Sequence, residues 1–363
     1  MTSDATCNPR RPSPATRHTV TLKFGPVPLD HAEGKILGHN IAGPDGHRLL
    51  RKGRPLTGED IAALRAIGRT SVYVAELAPD DVDEDAAARR VAKAVGGGGL
   101  RLPGAASGRA NLLSTALGVL RVDAGRLERV NELEGITLAT LAAHSPVRPR
   151  QMVGTVKIIP FAVPEATVRA AEAIAGDAPL IRVDALAPQP VSLIFSGSVS
   201  IREKLADDFA PLAERVTALG SRIASTDYVP LDTPACESGE SALAEMLSRC
   251  CTAGVRLIVL AGETAIMDRH DIVPRAIERA GGRVECLGAP VDPGNLLMIA
   301  YLGEVPILGA PGCARSRKVN IVDWVLPRLL VGDRLTRRDI LALGHGGLLE
   351  DVPERPMSRD KAE

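Results

Sequence analysis

The sequence predicts an α/β protein with a doubly wound, mostly parallel sheet, preceded by smaller α+β N-terminal domains. From Val191 onward, apolar strands alternate with amphipathic helices at the spacing of a parallel sheet that helices cover on both faces. Three of these strands end in polar turns that contain glycine, an arrangement typical of the ligand-binding edge of such sheets. Hydrophobic residues make up 45% of the chain and aromatic residues only 2%, which predicts an aliphatic core.

The length of 363 residues predicts two or three domains, because single hydrophobic cores rarely grow beyond ~250–300 residues. The strand–helix pattern is regular enough to predict a topology only in the C-terminal α/β domain. We expect a disordered tail (1–19), an N-terminal α+β module (20–78), a small α+β domain (79–187), the α/β domain (188–335) and a polar C-terminal tail (336–363).

Composition argues against several classes of function. Lysine plus arginine and aspartate plus glutamate both number 44, which argues against a nucleic-acid-binding surface. No apolar run approaches the ~18 residues of a membrane span, and the first residues lack the apolar segment of a signal peptide. Six cysteines without metal-ligand spacing are typical of free thiols in a reducing compartment. We therefore expect a soluble, cytoplasmic protein.

Capping residues and periodicity place the predicted elements. Before residue 100 we expect a helical stretch at Leu29–Leu37, a helix capped by Thr57, a strand at Ser71–Val74 and a helix after the acidic run Asp80–Asp85. In the next domain we expect strands at Gly118–Val122, Ile136–Thr140 and Val153–Ile159, and helices at Asn111–Leu117, Ala124–Leu133 and Pro164–Ala175. In the α/β domain we expect strands at Val191–Phe195, Arg222–Val229, Val255–Leu260 and Arg283–Leu287, a hairpin within Ile299–Leu308, and a helix over 205–219 that Pro211 kinks.

The carboxyl ends of the predicted strands form the candidate binding site. Neighbouring parallel strands would bring together the turns Ser196-Gly197-Ser198, Gly262-Glu263-Thr264 and Gly309-Ala310-Pro311-Gly312. Their backbone N–H groups would then converge on an anion. A helix predicted to begin near Ser316, together with the charges of Arg315, Arg317 and Lys318, would strengthen that site. The alternative is that the glycines only make tight strand–helix turns.

Two aspartates that follow the second turn are candidates for chemistry. Asp268 and Asp271 could hold a divalent cation, magnesium for instance, beside a phosphate, with Asp271 as the metal ligand. The alternative for Asp271 is a capping role at the helix that follows it. His270 in the same loop is more typical of a solvated side chain.

Three motifs within residues 191–335 point to one family. Leu260-Ala261-Gly262-Glu263-Thr264 through Asp271-Ile272-Val273-Pro274 is similar to a Gly-Gly-Thr loop followed by an Arg-Asp-Val-x-Pro-like segment. Pro293-Gly294-Asn295 is similar to Pro-Gly-Lys-Pro, and residues 309–316 are similar to Gly-Leu-Pro-Gly-Asn-Pro-x-Ser. Together they resemble the molybdopterin-binding domain shared by molybdopterin molybdotransferases and molybdopterin adenylyltransferases. Residues 26–76 resemble accessory domains of the molybdotransferase, and the whole chain is similar to the molybdopterin-binding half of bacterial proteins that continue into a nucleotidyltransferase domain.

The resemblance implies a site for molybdopterin or its adenylylated form, with phosphates on the glycine turns and Asp271 near a metal or molybdate. The positions that match the family's binding turns are Gly262, Thr264, Pro293, Gly294, Pro311, Gly312 and Ser316. Glu263 and Asn295 depart from the pattern, because they replace a glycine and a lysine. Cys313-Ala314 replaces Asn-Pro, and the turn at Ser196 lacks the usual Thr-Gly-acid sequence. These departures weaken molybdate insertion more than they weaken binding.

The leading hypothesis is therefore a molybdopterin-binding protein of molybdenum cofactor biosynthesis or maturation. It would pass its pterin-phosphate ligand to a partner, either a nucleotidyltransferase or a molybdoenzyme. One alternative is a molybdopterin molybdotransferase that inserts molybdate with a divalent cation. Another is a structural protein that keeps the fold without the ligand. The resemblance also implies possible homo-oligomerisation.

Overall fold

A computed structural model describes residues 23–231 and 236–349, so the expected N-terminal tail lies outside the described residues. The first elements are β1 (Lys23–Pro28), β2 (Ile36–Leu37), β3 (Ile41–Ala42), β4 (Arg48–Leu50), α1 (Gly58–Ala66) and β5 (Ser71–Glu76). The antiparallel order is β1-β5-β2. The predicted cap is confirmed, because Thr57 and Asp60 form a reciprocal capping box at α1. The helical stretch predicted at Leu29–Leu37 is wrong: a 3-10 turn at Leu29–His31 precedes β2, and Gly34 between them adopts a left-handed conformation.

The second group of elements forms several small sheets with three packed helices. These elements are β6 (Asp81–Asp83), α2 (Glu84–Val95), β7 (Leu100–Arg101), β8 (Ala105–Ala106), β9 (Arg109–Ser114), β10 (Gly118–Val122), α3 (Ala124–Asn131), β11 (Ile136–Thr140), β12 (Pro146–Val147), β13 (Met152–Ile158), β14 (Ala162–Pro164), α4 (Glu165–Ala175) and β15 (Ile181–Ala185). The predicted helix Asn111–Leu117 is wrong. Alternate residues of β9 are buried, which is the period of a strand, and β9 pairs with β13.

The third group forms the predicted α/β domain. Its elements are β16 (Pro190–Gly197), α5 (Arg202–Asp208), α6 (Ala210–Ala218), β17 (Arg222–Pro230), α7 (Cys236–Thr252), β18 (Leu257–Gly262), α8 (Ile272–Arg279), β19 (Arg283–Leu287), β20 (Met298–Leu302), β21 (Val305–Gly309), α9 (Ile321–Leu330) and α10 (Arg337–Leu341). The sheet order is β17-β16-β18-β21-β20-β19. The first four strands are parallel, and the predicted hairpin β20–β21 makes the other edge antiparallel. The predicted fold class is confirmed.

Helices cover both faces of this sheet, because successive side chains of a strand point to opposite faces. Leu193 and Phe195 pack with α5, α6 and α9, whereas Ile194 packs with α7 and α8. The predicted kink near Pro211 takes the form of a break: α5 ends at Asp208, and Pro211 lies in the first turn of α6.

Residues 336–349 differ from the expected polar tail, and residues 350–363 lie outside the described residues. Thr336 caps α10 through a capping box with Asp339, and Ile340 is fully buried in the core. Leu348 then forms a bridge with Asp292. Residues 336–349 therefore pack on the α/β domain. The domain boundaries themselves stay a prediction.

No helix in residues 23–231 and 236–349 has the length and apolar character that crossing a membrane requires.

Candidate functional site

The carboxyl ends of β16, β18 and β21 lie side by side, because these strands are parallel neighbours. Ser196 is paired with Gly262, and Leu260 with Gly309. The structure therefore brings the three predicted turns to one edge of the sheet. We call this edge the rim, defined as residues 196–198, 262–264 and 309–316.

A fourth turn, Pro293-Gly294-Asn295, reaches the same edge. It connects β19 to β20, and Met298 at the start of β20 is paired with Gly309 at the end of β21. A side chain at Gly294 would collide with Ile321, so the turn packs closely against the start of α9. Asn295 is exposed.

Glu263 closes the first turn of the rim. The backbone N–H of Ser198 donates a hydrogen bond of 2.8 Å to the Glu263 carboxylate. The Glu263 N–H donates to the Ser196 carbonyl at 2.9 Å. A Cβ at Gly197 would lie 2.8 Å from the Cβ of Glu263. The Ser198 N–H, which we predicted to bind a ligand anion, is therefore already bonded to a side chain of the protein.

The two candidate aspartates hold their own loop together. Asp271 accepts hydrogen bonds from the N–H groups of Met267 and Asp268, at 2.7 and 2.9 Å. Asp268 accepts one from the His270 N–H at 2.8 Å. Asp271 stands at the N-cap position of α8, but its side chain makes no capping bond to the first turn. Its carboxylate stabilises the preceding loop instead.

A cation at these aspartates would need oxygen ligands from elsewhere. Within the described parts of the chain, no group of three or more histidine, cysteine, aspartate or glutamate side chains could hold a metal ion. Magnesium commonly binds through one or two carboxylates plus substrate phosphates. The predicted metal role of Asp271 therefore depends on a phosphorylated ligand that supplies the remaining oxygens.

The third turn is a short 3-10 helix, Gly312–Arg315. The prediction of a helix beginning near Ser316 is wrong. Ser316 is extended, and α9 begins at Ile321, where Asn320 caps it by accepting a 3.0 Å hydrogen bond from the Val322 N–H. The dipole of α9 is therefore not aimed at Ser316.

Arg315 ties the second and third turns together. Its guanidinium donates to the carbonyls of Gly262 and Glu263, at 3.2 and 3.4 Å. It also lies 4.7 Å from the centre of the Phe209 ring. Nη1 of Arg315 also lies 3.8 Å from the Asp208 carboxylate, so protein groups already surround this charge.

Arg215 on α6 is a positioning residue that the sequence analysis missed. Its side chain is only 11% exposed and forms a 2.9 Å ion pair with Asp323. It also donates to the carbonyls of Ser316 and Lys318, both at 2.9 Å, and so attaches the end of the third turn to α6. The sequence could have indicated this role, because residue 215 is a charged residue between the buried positions 212 and 216 of an amphipathic helix.

The rim glycines differ in the space around them. A Cβ at Gly262 would lie 2.9 Å from the Thr264 carbonyl oxygen, and one at Gly309 would lie 2.8 Å from Met298 Cβ. At these two positions, internal packing requires glycine. A Cβ at Gly312 would meet no atom within 4 Å. A phosphate can therefore approach the backbone at the third turn, whereas the first turn accepts one only after Glu263 has moved.

Comparisons with known proteins place only a small part of the chain in a family. A family model described as a domain of unknown function (DUF8806) matches residues 26–76. No curated protein sequence matches the chain.

Three solved structures are similar to the chain at low levels. A molybdenum cofactor biosynthesis protein from Pyrococcus furiosus has 12% identity and a TM-score of 0.22, over 88% of this chain and 65% of its own length. A molybdopterin biosynthesis moeA protein from Pyrococcus horikoshii has 12% identity and a TM-score of 0.28, over 86% of this chain and 75% of its own length. Molybdenum cofactor biosynthesis protein B has 16% identity and a TM-score of 0.25, over 40% of this chain and 96% of its own length. This chain thus spans 65% of the first of these proteins.

Proposed function

We propose that the rim binds molybdopterin or its nucleotide, and that the protein acts in molybdenum cofactor biosynthesis or maturation as a carrier or partner of a cofactor-modifying enzyme. One observation carries the proposal: the family-like turns 262–264 and 309–316 lie at adjacent strand ends, and the third family-like turn, Pro293-Gly294-Asn295, reaches the same edge. The carboxyl edge of a parallel sheet is where α/β folds place their ligands.

The third turn is the proposed phosphate contact. Gly312 is exposed, with open space where a side chain would stand. The first N–H groups of a short helical turn lack partners within that turn and suit an anion. Arg215 fixes the carbonyls of the turn on the opposite side, so these donors are held in place.

The contacts of the acidic residues favour a carrier over a molybdotransferase. Glu263 places a negative charge at the first turn, where it opposes a second phosphate contact. Asp268 and Asp271 are engaged with backbone N–H groups of their own loop. A carrier needs selective but reversible binding, and a partly self-filled site limits affinity because the ligand must displace protein groups.

The decisive experiment is isothermal titration of the purified protein with molybdopterin and with adenylylated molybdopterin, with and without magnesium. We expect binding without magnesium, and at least a tenfold loss in Gly312→Ala, because the added methyl group fills the approach to the backbone. Gly98→Ala is the matched control, since Gly98 also has open space around it but lies in the second group of elements.

The same titration separates the alternatives. Binding that requires magnesium and disappears in Asp271→Asn would favour the molybdotransferase and contradict the carrier. Absence of binding to either compound in all conditions would leave only the structural alternative.

A further inference from the structure

The β1-β5-β2 sheet carries a cluster of aromatic side chains on its surface. The chain has four phenylalanines, three tyrosines and one tryptophan, all within the parts that the structure describes. Of these eight, Phe24 and Tyr73 are the two with exposed side chains, at 46% and 47%. Large apolar side chains that lie together on a surface mark a contact with another group. Both exposed rings lie on this one sheet.

Strand pairing places these rings on the same face of the sheet. Pro26 lies opposite Tyr73 in the antiparallel pair β1–β5, and directly opposite residues point to the same face. Phe24, two residues before Pro26, points the same way. Val72 and Val74 point to the other face and belong to the core of the N-terminal elements. The rings therefore lie on the face that points away from the core.

His39 joins the two exposed rings into one surface. Its ring centre lies 5.4 Å from those of both Phe24 and Tyr73, whose own centres are 6.0 Å apart. Phe161 stacks on Phe24 at 6.5 Å between ring centres. A Cβ at Gly38 would lie 2.7 Å from Phe24 Cε2, so the Phe24 ring lies directly against the backbone there. These contacts fix the rings in place before any partner binds.

We call Phe24, Pro26, His39 and Tyr73 the aromatic patch. In the described parts of the chain, neither the Tyr73 hydroxyl nor the His39 ring has a hydrogen-bond partner. A phenol O–H and an imidazole N–H both donate hydrogen bonds. The patch therefore offers apolar ring faces with free donors beside them.

A polyproline II segment fits such a surface. Its conformation is fixed at low entropic cost, its proline rings pack on aromatic side chains, and its carbonyls have no partner within the segment. Those carbonyls can accept hydrogen bonds from the donors of the patch. A single-stranded nucleic acid would need a positively charged groove, and the patch contains neither lysine nor arginine.

The chain itself supplies a segment of this composition. Residues 9–14 have the sequence Pro-Arg-Arg-Pro-Ser-Pro, which contains the P-x-x-P spacing of polyproline II ligands. They lie outside the described residues, and eight residues, 15–22, connect them to β1. A connection of this length spans at most roughly 30 Å. Because β1 begins at Lys23, next to Phe24, residues 9–14 are tethered within reach of the aromatic patch.

We propose that the aromatic patch is the docking site of residues 9–14 of the same molecule. The prolines pack on the ring faces, and the carbonyls between them accept hydrogen bonds from Tyr73 and His39. A short tether gives the segment an effective concentration in the millimolar range, so even weak docking keeps the patch covered. The patch and the rim share no residue, so this proposal is tested independently of the function proposed above.

The test is isothermal titration of the 363-residue protein with a synthetic peptide of residues 8–18. In the triple variant Pro9→Ala, Pro12→Ala, Pro14→Ala the tethered segment no longer competes, and we expect saturable binding of the peptide. The parent should bind the peptide at least tenfold more weakly, because its own segment occupies the patch.

Further substitutions in the triple variant locate the site. Tyr73→Ala should weaken peptide binding at least tenfold, and Tyr73→Phe, which removes only the hydroxyl, should cause a smaller loss. The matched control is Leu102→Ala, which removes a 38% exposed apolar side chain outside the patch and should change nothing. Circular dichroism of each variant must match the parent, since Tyr73 and Leu102 are both exposed and their loss should leave the fold intact.

Several results would overturn the proposal. They are absence of saturable binding to the triple variant, equal binding to the triple variant and the parent, equal weakening by Leu102→Ala, and undiminished binding of a peptide whose prolines are replaced by alanine. Tighter binding of a peptide of residues 350–363, which also contains P-x-x-P, would assign the patch to that segment instead. A dimer in sedimentation that Tyr73→Ala dissociates would assign it to a second copy of the chain.

Discussion

The Glu263 carboxylate accepts a 2.8 Å hydrogen bond from the backbone N–H of Ser198, so an acidic side chain fills the strand end where an anion would bind. Glu263→Gln should therefore strengthen the binding of pyrophosphate at the rim several-fold, because it removes a negative charge and keeps the side-chain shape. Stability should fall by less than ~1 kcal/mol, since Glu263 is exposed. Titration calorimetry and urea denaturation measure the two effects. Glu245→Gln on α7 removes the same charge elsewhere, and an equal gain there would show a non-specific effect.

Gly309 and Gly312 should differ sharply in their tolerance of alanine. Gly309→Ala places a methyl group 2.8 Å from Met298 Cβ and 2.9 Å from Ile266 Cδ1, so overpacking should cost ~1–3 kcal/mol. Gly312→Ala meets no atom within 4 Å and should change stability by no more than ~0.5 kcal/mol. Urea denaturation of both variants measures the difference. Similar losses in both would contradict the description of the third turn as open.

Arg215 should be needed for the order of the third turn. Arg215→Ala removes the ion-pair partner of Asp323 and one donor from each of the carbonyls of Ser316 and Lys318, so we expect a loss of ~1–3 kcal/mol. Arg215→Lys keeps the charge but cannot span these acceptors, and should recover only part of the loss. Hydrogen exchange should show faster exchange at residues 313–318 in both variants. Unchanged exchange there would assign Arg215 a role in α6 alone.

The pair formed by Arg121 and Asp333 should make stability depend on pH in acid. Burial alone would raise the pKa of Asp333, but the hydrogen bonds and charges of Arg121 and Arg328 outweigh it and lower this pKa. A lowered pKa means that the stabilisation is complete above the ordinary aspartate pKa of 3.8 and is lost as the pH falls through the lower folded-state pKa.

Asp333→Asn should therefore be less stable than the parent by ~3 kcal/mol at pH 7, because it breaks a largely buried pair. The difference between the two proteins should shrink below pH 3.8. Calorimetric unfolding from pH 7 to pH 2.5 tests this expectation. A difference that stays constant over the whole range would exclude an ionic contribution.

Sequence patterns predicted the α/β domain well where burial and periodicity agree. The strands near Val191, Arg222 and Arg283 and the hairpin β20–β21 are confirmed, and the kink predicted at Pro211 takes the form of a break between Asp208 and Ala210. β16 is buried on both faces and reads as an apolar run, whereas the edge strands β17 and β19 are largely exposed on one side and show alternation. The errors lie where local propensity and tertiary pairing differ. The segment starting at Asn111 has residues suited to a helix, yet its pairing with β13 makes it a strand.

The rim, too, was predicted from the sequence in its position but not in its contacts. Glycines after three strands, and their order along the chain, were enough to predict that the turns meet at one edge. Only the tertiary structure decided what the polar groups in those turns contact: Glu263 bonds to Ser198, Arg315 to two carbonyls, and Arg215 reaches the third turn from α6.

The amino-acid sequence by itself thus determined the sheet, its helix-covered faces and the position of the rim. These depend on short-range periodicity, which a sequence displays directly. The tertiary structure decided which donors are occupied, and it brought together Arg121 and Asp333, which are distant in the chain. Contacts of this kind depend on how separate elements pack, and no local pattern of residues encodes that packing.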